Sequence, residues 1–420
     1  MVSPWPQGVR TRGPIGPRRT VRIVKPVRAA AAAAVLGALA ATATPASATP
    51  PAGQCQTAEA GGQPVTKMPW ATTWLAPERA WPVSTGRGVT VAVIDSGVDA
   101  DHPQLREPGA VLPGKDVLTP GDKRANFDCV SHGTAVASII AARPLPGTGF
   151  RGVAPGARIL PIRVSERDAS EQQGAAVDAT VFAGAIRYAV DAGATVINIS
   201  LSLYADQKPV REAVRYAQRH DALIVAAAGN AHAQQGPDPV TYPAAYPGVL
   251  GVGAMTIDGS RLPSSQVGPY VDITAPGGGV LAATRVRGHR YYDGTSFATG
   301  FVSGTAALVR AADPRLPATE VAARLIATAT PASGPADQYG AGVVNPYRAV
   351  QDVLSTTKPA VLPPVRPSTV DPAAERRTAA WNLAGREGRR IAVLAGICAL
   401  LVVIAAVVVP LGRRRGWRAG

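Results

Sequence analysis

Three short stretches of the chain carry side chains able to act together on a carbonyl group. "DGTSFATG", residues 293–300, sets Ser296 behind Gly294 and Thr295 and ahead of a run of small residues. "SHGTAVASII" puts His132 at the head of a helical pattern that Pro144 stops, and "VTVAVID" ends in Asp95. A serine hydroxyl is a weak nucleophile at neutral pH and needs a neighbouring base. Histidine suits that task because its unperturbed pKa is about 6.5. A carboxylate then holds the imidazole in the right tautomer and stabilises its cation. Alone, each residue has an ordinary reading. Asp starts turns at strand ends, a His–Gly pair is a common turn, and Ser caps helices. The chemistry requires all three at once. A fourth element is Asn230, at the end of "IVAAAGN". An Asn after Gly often serves a turn, but its amide can also donate to an oxyanion, and losing one such donor costs about 10²–10³ in rate.

These residues need elements that converge on one edge. The runs 88–95, 157–164, 194–201, 222–229 and 248–255 are near-continuous in Val, Ile, Leu and Ala. That is the pattern of strands covered on both faces. Between them, 178–193 and 208–221 show apolar residues at helical spacing. Alternating strands and helices predict an α/β fold with a mainly parallel sheet and helices on both faces. In such sheets reactive groups collect at the carboxyl ends of strands. Ser296 at a helix N-terminus also gains a dipole that favours the negative charge developing during attack.

The net charge of +15 suits nucleic-acid binding, but its distribution does not. Residues 1–48 hold seven basic residues and no acid, and residues 371–420 hold nine Arg against three acids, leaving +2 for everything between. No nucleic-acid partner is expected. The basic N-terminal region precedes "AAAAAAVLGALAATA" and then "TPASATP". This is the three-part pattern of a signal peptide, residues 1–48, cleaved after Ala48. Residues 391–410, "IAVLAGICALLVVIAAVVVP", are apolar for long enough to cross a ~30 Å hydrocarbon layer as a transmembrane helix. The basic segment 411–420 then reads as a cytoplasmic tail. The predicted organisation adds an N-terminal extension, 49–85, a folded domain, 86–355, and a Pro-rich linker, 356–385. The domain faces outward from the cell membrane on a single anchor. Cys398 lies in the span, so Cys55 and Cys129 are the two exported cysteines, in a compartment where disulfides persist. One bridge between them is expected, closing a loop of about 75 residues and stabilising by roughly 4 kcal/mol in the chain-entropy description.

Eight blocks in order make the chain resemble the subtilisin-type serine peptidases: "VAVIDSGVDADHPQL", "SHGTAVASII", "GVAPGARILPIRV", "VINISLS", "AAAGN", "YPAAYPGVLGVGA", "VDITAPG" and "GTSFATGFVSGTAALV". The resemblance covers about residues 86 to 350. It implies a three-layer subtilisin-like fold and the chain order Asp, His, Ser for the triad Asp95, His132 and Ser296. It also implies Asn230 as the oxyanion asparagine. Ser200, Leu201 and Ser202 match the family's substrate strand, where a peptide adds main-chain hydrogen bonds.

The full layout resembles the mycosins, membrane-anchored subtilases of type VII secretion systems. That implies protein or peptide substrates and the type VII secretion membrane complex as partners.

Three departures stand out. The family's Ala-Pro after the "GTSxA" core is Thr299-Gly300 here, which removes a helix-starting proline. Tyr204 stands where the substrate strand usually runs on to a Gly, and the second cysteine pair of many mycosins is absent. No acid-rich calcium loop is present in the sequence, so neither metal nor cofactor is expected. The extension is too short to fold as a separate inhibitory domain. Two functions from different classes remain: an active peptidase that processes secreted proteins, or a mainly structural subunit of the secretion complex with dispensable peptidase activity. An esterase is disfavoured, since its serine belongs in a Gly-x-Ser-x-Gly elbow.

Overall fold

The computed structural model describes residue 55, residues 58–166, 177–232 and 237–354, and the pair 395–396. The expected signal peptide, linker and cytoplasmic tail lie outside the described residues. So does the expected transmembrane span, apart from 395–396, which are helical. Among the described residues no helix is long and apolar enough to cross a membrane. Met1–Leu354 and Ser355–Gly420 form separate units, and the sheet and its helices all belong to the first.

The elements of this unit in chain order are α1 (Trp70–Leu75), β1 (Thr90–Asp95), β2 (Lys115–Asp116), α2 (His132–Ala141), β3 (Arg158–Arg163), α3 (Ala179–Asp191), β4 (Val196–Ile199), α4 (Lys208–Arg219), β5 (Leu223–Ala227) and β6 (Leu250–Met255). After them come β7 (Ile273–Pro276), β8 (Val280–Ala283), β9 (His289–Tyr292), α5 (Thr295–Ala312), α6 (Ala318–Ala327), α7 (Ala336–Tyr339) and α8 (Pro346–Gln351). Seven strands make one sheet in the order β2-β3-β1-β4-β5-β6-β7, every neighbouring pair parallel. The five strands expected from apolar runs are all present; β1 and β6 begin two residues later than expected, and the other three are shorter at both ends. β8 and β9 form a separate antiparallel hairpin.

Why the strands read as unbroken apolar runs is visible in the core. Successive side chains point to opposite faces of a sheet. Val91, Val93, Val196 and Val225 enter one core with α2 and α5. Their neighbours Ala92, Ile94, Ile197 and Ile224 enter a second core with α3 and α4. Both faces are dry, so both residue parities must be apolar. α4 is the opposite case. Its Val210, Ala213, Val214 and Ala217 are buried at helical spacing, while its charged residues face outward. The Asp178 carboxylate starts α3 by accepting from Thr180 N and Val181 N.

The extension is not a separate lobe. Ala71, Leu75 and Ala80 belong to the first core. The indoles of Trp70 and Trp81 donate to Gly279 O and Val153 O. Cys55 and Cys129 form a disulfide with Cα atoms 5.5 Å apart. Further along, Gln63 pairs with His289 as an antiparallel bridge, extending the β8–β9 hairpin by one contact. Arg285 N also bonds to Ser131 Oγ at 2.9 Å, and its guanidinium donates to Asp128 O and Glu59 O.

A pair of buried histidines lies beneath this junction. His102 is 1% exposed and His289 is 7% exposed, with ring centroids 5.9 Å apart. Gln104 N donates to His102 Nδ1, so His102 Nε2 carries the hydrogen and donates to Gly288 O. Burial pushes the pKa of each ring down to about 4, helped for His289 by the neighbouring His102. Both are therefore neutral in the fold and charge more readily in the unfolded chain, near 6.5. Their contribution to stability is complete above 6.5 and is lost as pH falls from there toward 4. The expected outcome is a melting temperature that drops between pH 7 and pH 5, with a shallower drop in His289→Gln. Scanning calorimetry of both proteins across this range checks it, and parallel slopes would contradict the assignment.

Candidate active site

The three strands nearest the middle of the sheet deliver the candidate residues to one edge. β1 ends at Asp95, β4 ends just before Ser200, and β5 ends three residues before Asn230. β1 neighbours β4 and β4 neighbours β5. Adjacent strands lie about 4.8 Å apart, so the loops leaving them share one small region.

Asp95 is 3% exposed. Its Oδ1 accepts from Ser96 N at 2.7 Å and meets His132 Nδ1 at 2.6 Å. An ionised carboxylate only accepts, so Nδ1 carries the hydrogen and Nε2 is left as the basic nitrogen. The His132 side chain is 14% exposed, and its ring packs against Phe297 with centroids 5.2 Å apart. His132 is the first residue of α2, and Gly133 follows it because nothing larger fits. A Cβ there would lie 2.1 Å from Gly97 O and 3.2 Å from Asp95 Oδ1. The glycine is what lets the helix start this close to the end of β1.

Ser296 is the second residue of α5, beside the Phe297 that His132 packs on, and its Oγ donates to Ser200 O at 3.2 Å. The helix has no side-chain cap of its own from Gly294. Asn230 supplies one from outside: its Oδ1 accepts from Thr295 N at 2.9 Å and from Thr295 Oγ1 at 3.0 Å. This satisfies one of the N–H groups that a helix start leaves unpaired. With Oδ1 committed, the Nδ2 group faces the Gly294 side, 3.3 Å from where a Cβ on that residue would stand. Gly229 has φ of 102°, and an added Cβ would meet Gln266 Oε1 at 1.9 Å. Its N–H donates to Thr295 Oγ1.

Thr299-Gly300, the departure from Ala-Pro, is accommodated within α5. Thr299 Oγ1 bonds back to Thr295 O, and Gly300 admits Ile139 of α2 closely. Position 300 is the sixth residue of α5, so the expected loss of a helix-starting proline does not apply; the helix begins at Thr295, whose N–H Asn230 caps.

Ser200, Leu201 and Ser202 continue beyond β4; Ser200 is buried, while Leu201 and Ser202 are partly exposed. Asn198 bridges them to α5, donating to Ser200 Oγ at 3.0 Å while accepting from Ser303 Oγ at 2.9 Å. Leu203 pairs with Tyr242 in both directions at 2.8 Å. Tyr204, the next residue, is exposed.

Two participants are not singled out by the sequence. Thr295 stands beside the more conspicuous Ser296, yet it organises Asn230. Asp128, in "DCVSHGT", lies four residues before His132, in the loop that leads into α2. That spacing, one carboxylate ahead of a helix carrying a base, is the available signal. Asp128 is 1% exposed. Its Oδ1 accepts from Ser96 Oγ, Val130 N and Ser131 N, and its Oδ2 from Thr134 N and Thr134 Oγ1. Burial outweighs those donors and pushes its pKa up to about 6.

The same arrangement has relatives among known proteins. The family profile described as "Subtilase family" matches residues 86–342. Mycosin-3 of Mycobacterium tuberculosis is 35% identical over 392 residues, covering 79% of this chain and 83% of the relative. Thermitase of Thermoactinomyces vulgaris is 34% identical over 273 residues, covering 65% of this chain and 92% of the relative. Among solved structures, the serine protease MycP1, described as an essential component of the type VII (ESX-1) secretion system, is 33% identical. It superposes with a TM-score of 0.60 over 70% of this chain and 94% of its own.

The geometry predicts the effect of removing the Asn230 amide. Asn230→Ala should fold and should lower the turnover of a peptide ester by about 10²–10³, the range known for the oxyanion asparagine of subtilisin. Steady-state kinetics beside a melting curve checks this, and unchanged turnover would take Asn230 out of the chemistry.

Proposed function

The chain belongs to the subtilase family, and on that premise we propose that it is a membrane-anchored, extracytoplasmic serine endopeptidase working through Asp95, His132 and Ser296. Serine peptidase activity is the family's, and mycosins are among the relatives. The observation that carries the assignment is the part-buried 2.6 Å contact between Asp95 and His132, with Ser296 in the first turn of α5 beside the Phe297 on which His132 packs. In the reaction, His132 Nε2 takes the Ser296 proton as Oγ attacks the scissile carbonyl. Asp95 holds Nδ1–H and stabilises the imidazolium. The developing oxyanion is met by Asn230 Nδ2 and by the Ser296 N–H, one of those a helix start leaves free. His132 then returns the proton to the leaving amine, and water hydrolyses the acyl-enzyme by the same route. An extended peptide lies along Ser200–Ser202, pairing main chain to main chain.

Signal peptide 1–48, extension 49–85, catalytic domain 86–355, linker 356–385, span 391–410 and cytoplasmic tail 411–420 complete the proposed layout. The substrates are secreted proteins of a type VII secretion system. A charged, membrane-impermeant fluorophosphonate added to intact cells should label Ser296 and leave His132→Ala unlabelled. The labelled protein should stay with the membrane after alkaline washing. Peptide mapping reads the modified residue. Persistent labelling of the His132 variant would refute the base assignment, and release by alkali would refute the anchor.

A second reading draws on the similarity to MycP1, a protein described as an essential component of its secretion system. In it, the chain serves mainly as a structural subunit. Ser296→Ala separates the two: secretion measured in a strain carrying only this variant should fall if cleavage is the essential contribution. Full complementation would favour the structural role.

A further inference from the structure

We propose that Asp128 is a positioning residue for the catalytic pair, its ionised carboxylate fixing where the start of the His132 helix meets the end of the strand carrying Asp95. The inference rests on the reading of Asp95, His132 and Ser296 as the reacting groups.

The carboxylate accepts five hydrogen bonds and meets no acceptor among them. Val130 N and Ser131 N, at 3.0 and 3.1 Å, pin the approach to the helix, and Thr134 N and Oγ1, at 2.9 and 2.7 Å, pin its first turn. Ser96 Oγ, at 3.0 Å, ties in the strand. That same Ser96 hydroxyl accepts from Gly133 N at 2.9 Å. Ser96 follows Asp95, and Gly133 follows His132. The two residues that flank the catalytic pair are therefore joined to each other, and Asp128 orients the hydroxyl that joins them. Ser131 is held at φ of 65°, a left-handed conformation unfavourable for serine, between Asp128 on its N–H and Arg285 N on its Oγ. Strain of this kind persists only where surrounding bonds impose it.

The cage suits an anion, because the N–H groups of Val130, Ser131 and Thr134 can only donate. A protonated carboxyl finds an acceptor only by turning the Ser96 or Thr134 hydroxyl around. An asparagine would set its amide hydrogens against Thr134 N–H. The charged groups around Asp128 come from every element packed on it. Asp95 faces it from β1 and disfavours its ionisation. His132 lies on its own helix. Arg285, from the β8–β9 turn, donates Nε to Asp128 O at 2.9 Å and Nη1 to Glu59 O in the extension. Tyr292, on β9, has its phenol pKa pushed up mainly by burial and further by Asp128. Because Asp128 takes its proton near pH 6, its cage opens as pH falls through that range.

The experiment uses the full-length membrane protein and compares wild type with Asp128→Asn and Ser96→Ala. Readouts are peptide hydrolysis from pH 4.5 to 8, fluorophosphonate labelling at Ser296, and melting temperature. Both variants should lose about 10- to 100-fold in kcat with KM unchanged, because a small misplacement of a catalytic group is costly while the peptide edge is untouched. In wild type the acid limb of kcat should fall more steeply than one proton allows. In Asp128→Asn it should follow a single protonation. Wild-type kcat in a folded Asp128→Asn or in Ser96→Ala overturns the role. So does a lowered kcat in Asp128→Asn with the wild-type acid limb, which marks a merely structural residue. If Asp128→Asn does not fold, Ser96→Ala decides: kcat lost at constant KM supports the role, and wild-type kcat overturns it. Wild-type protein that fails to label at Ser296 refutes the underlying peptidase reading, and the role falls with it.

Discussion

A helix buried on every side needs small residues wherever its neighbours press closest, and that constraint organises this molecule. Every residue of α5 from Thr295 to Arg310 is buried. It lies behind the sheet in the core it shares with α2. Gly300 and Gly304 leave room where Ile139 and Val153 press in. Because interiors are packed as densely as organic crystals, such a helix has one seat. Its first turn carries Ser296, so the packing of the core places the proposed nucleophile. The position of a reactive hydroxyl is thus decided by burial contacts many residues downstream of it.

Against this fixed helix, the partner groups are set by hydrogen bonds at the strand ends. Two buried carboxylates, Asp95 and Asp128, stand close enough for one to disfavour ionisation of the other. Buried charges are tolerated only when thoroughly hydrogen-bonded. Asp128 meets that requirement with five donors, and Asp95 with Ser96 N and the His132 imidazole. One oxygen of Asp95, Oδ2, has no hydrogen-bond partner among the described residues.

The extension, the hairpin and the catalytic helix meet at one junction. The disulfide reaches Cys129, three residues before His132, and Arg285 ties Glu59 of the extension to Asp128 and Ser131. Glu59 also pairs with Arg290 of β9. The next layer is aromatic: Tyr292 of β9 stacks on Phe297, which packs on His132. The N-terminal segment thus braces both the histidine helix and the hairpin that leads into the serine helix.

The strands, and the places of Asp95, His132 and Ser296 at the ends of elements, are legible in the sequence, because each depends on a local pattern. Strands covered on both faces need apolar residues at every position, and helix starts need small or capping residues within a few positions. What stays hidden depends on contacts between distant segments. Thr295 and Asn230 are 65 residues apart, and nothing local shows that one caps the other's helix. The β8–β9 hairpin leaves no trace in the sequence because "VLAA" and "HRYY" are too short to display a period. The boundary drawn at residue 86 lies beyond Ala71, Leu75 and Ala80, which only tertiary packing shows to be core. Asp128 reads as a turn residue in "DCVSHGT", since an Asp in a loop is usually solvated. Folding buries it among five donors, and that burial, which no spacing of residues records, makes its charge part of the site.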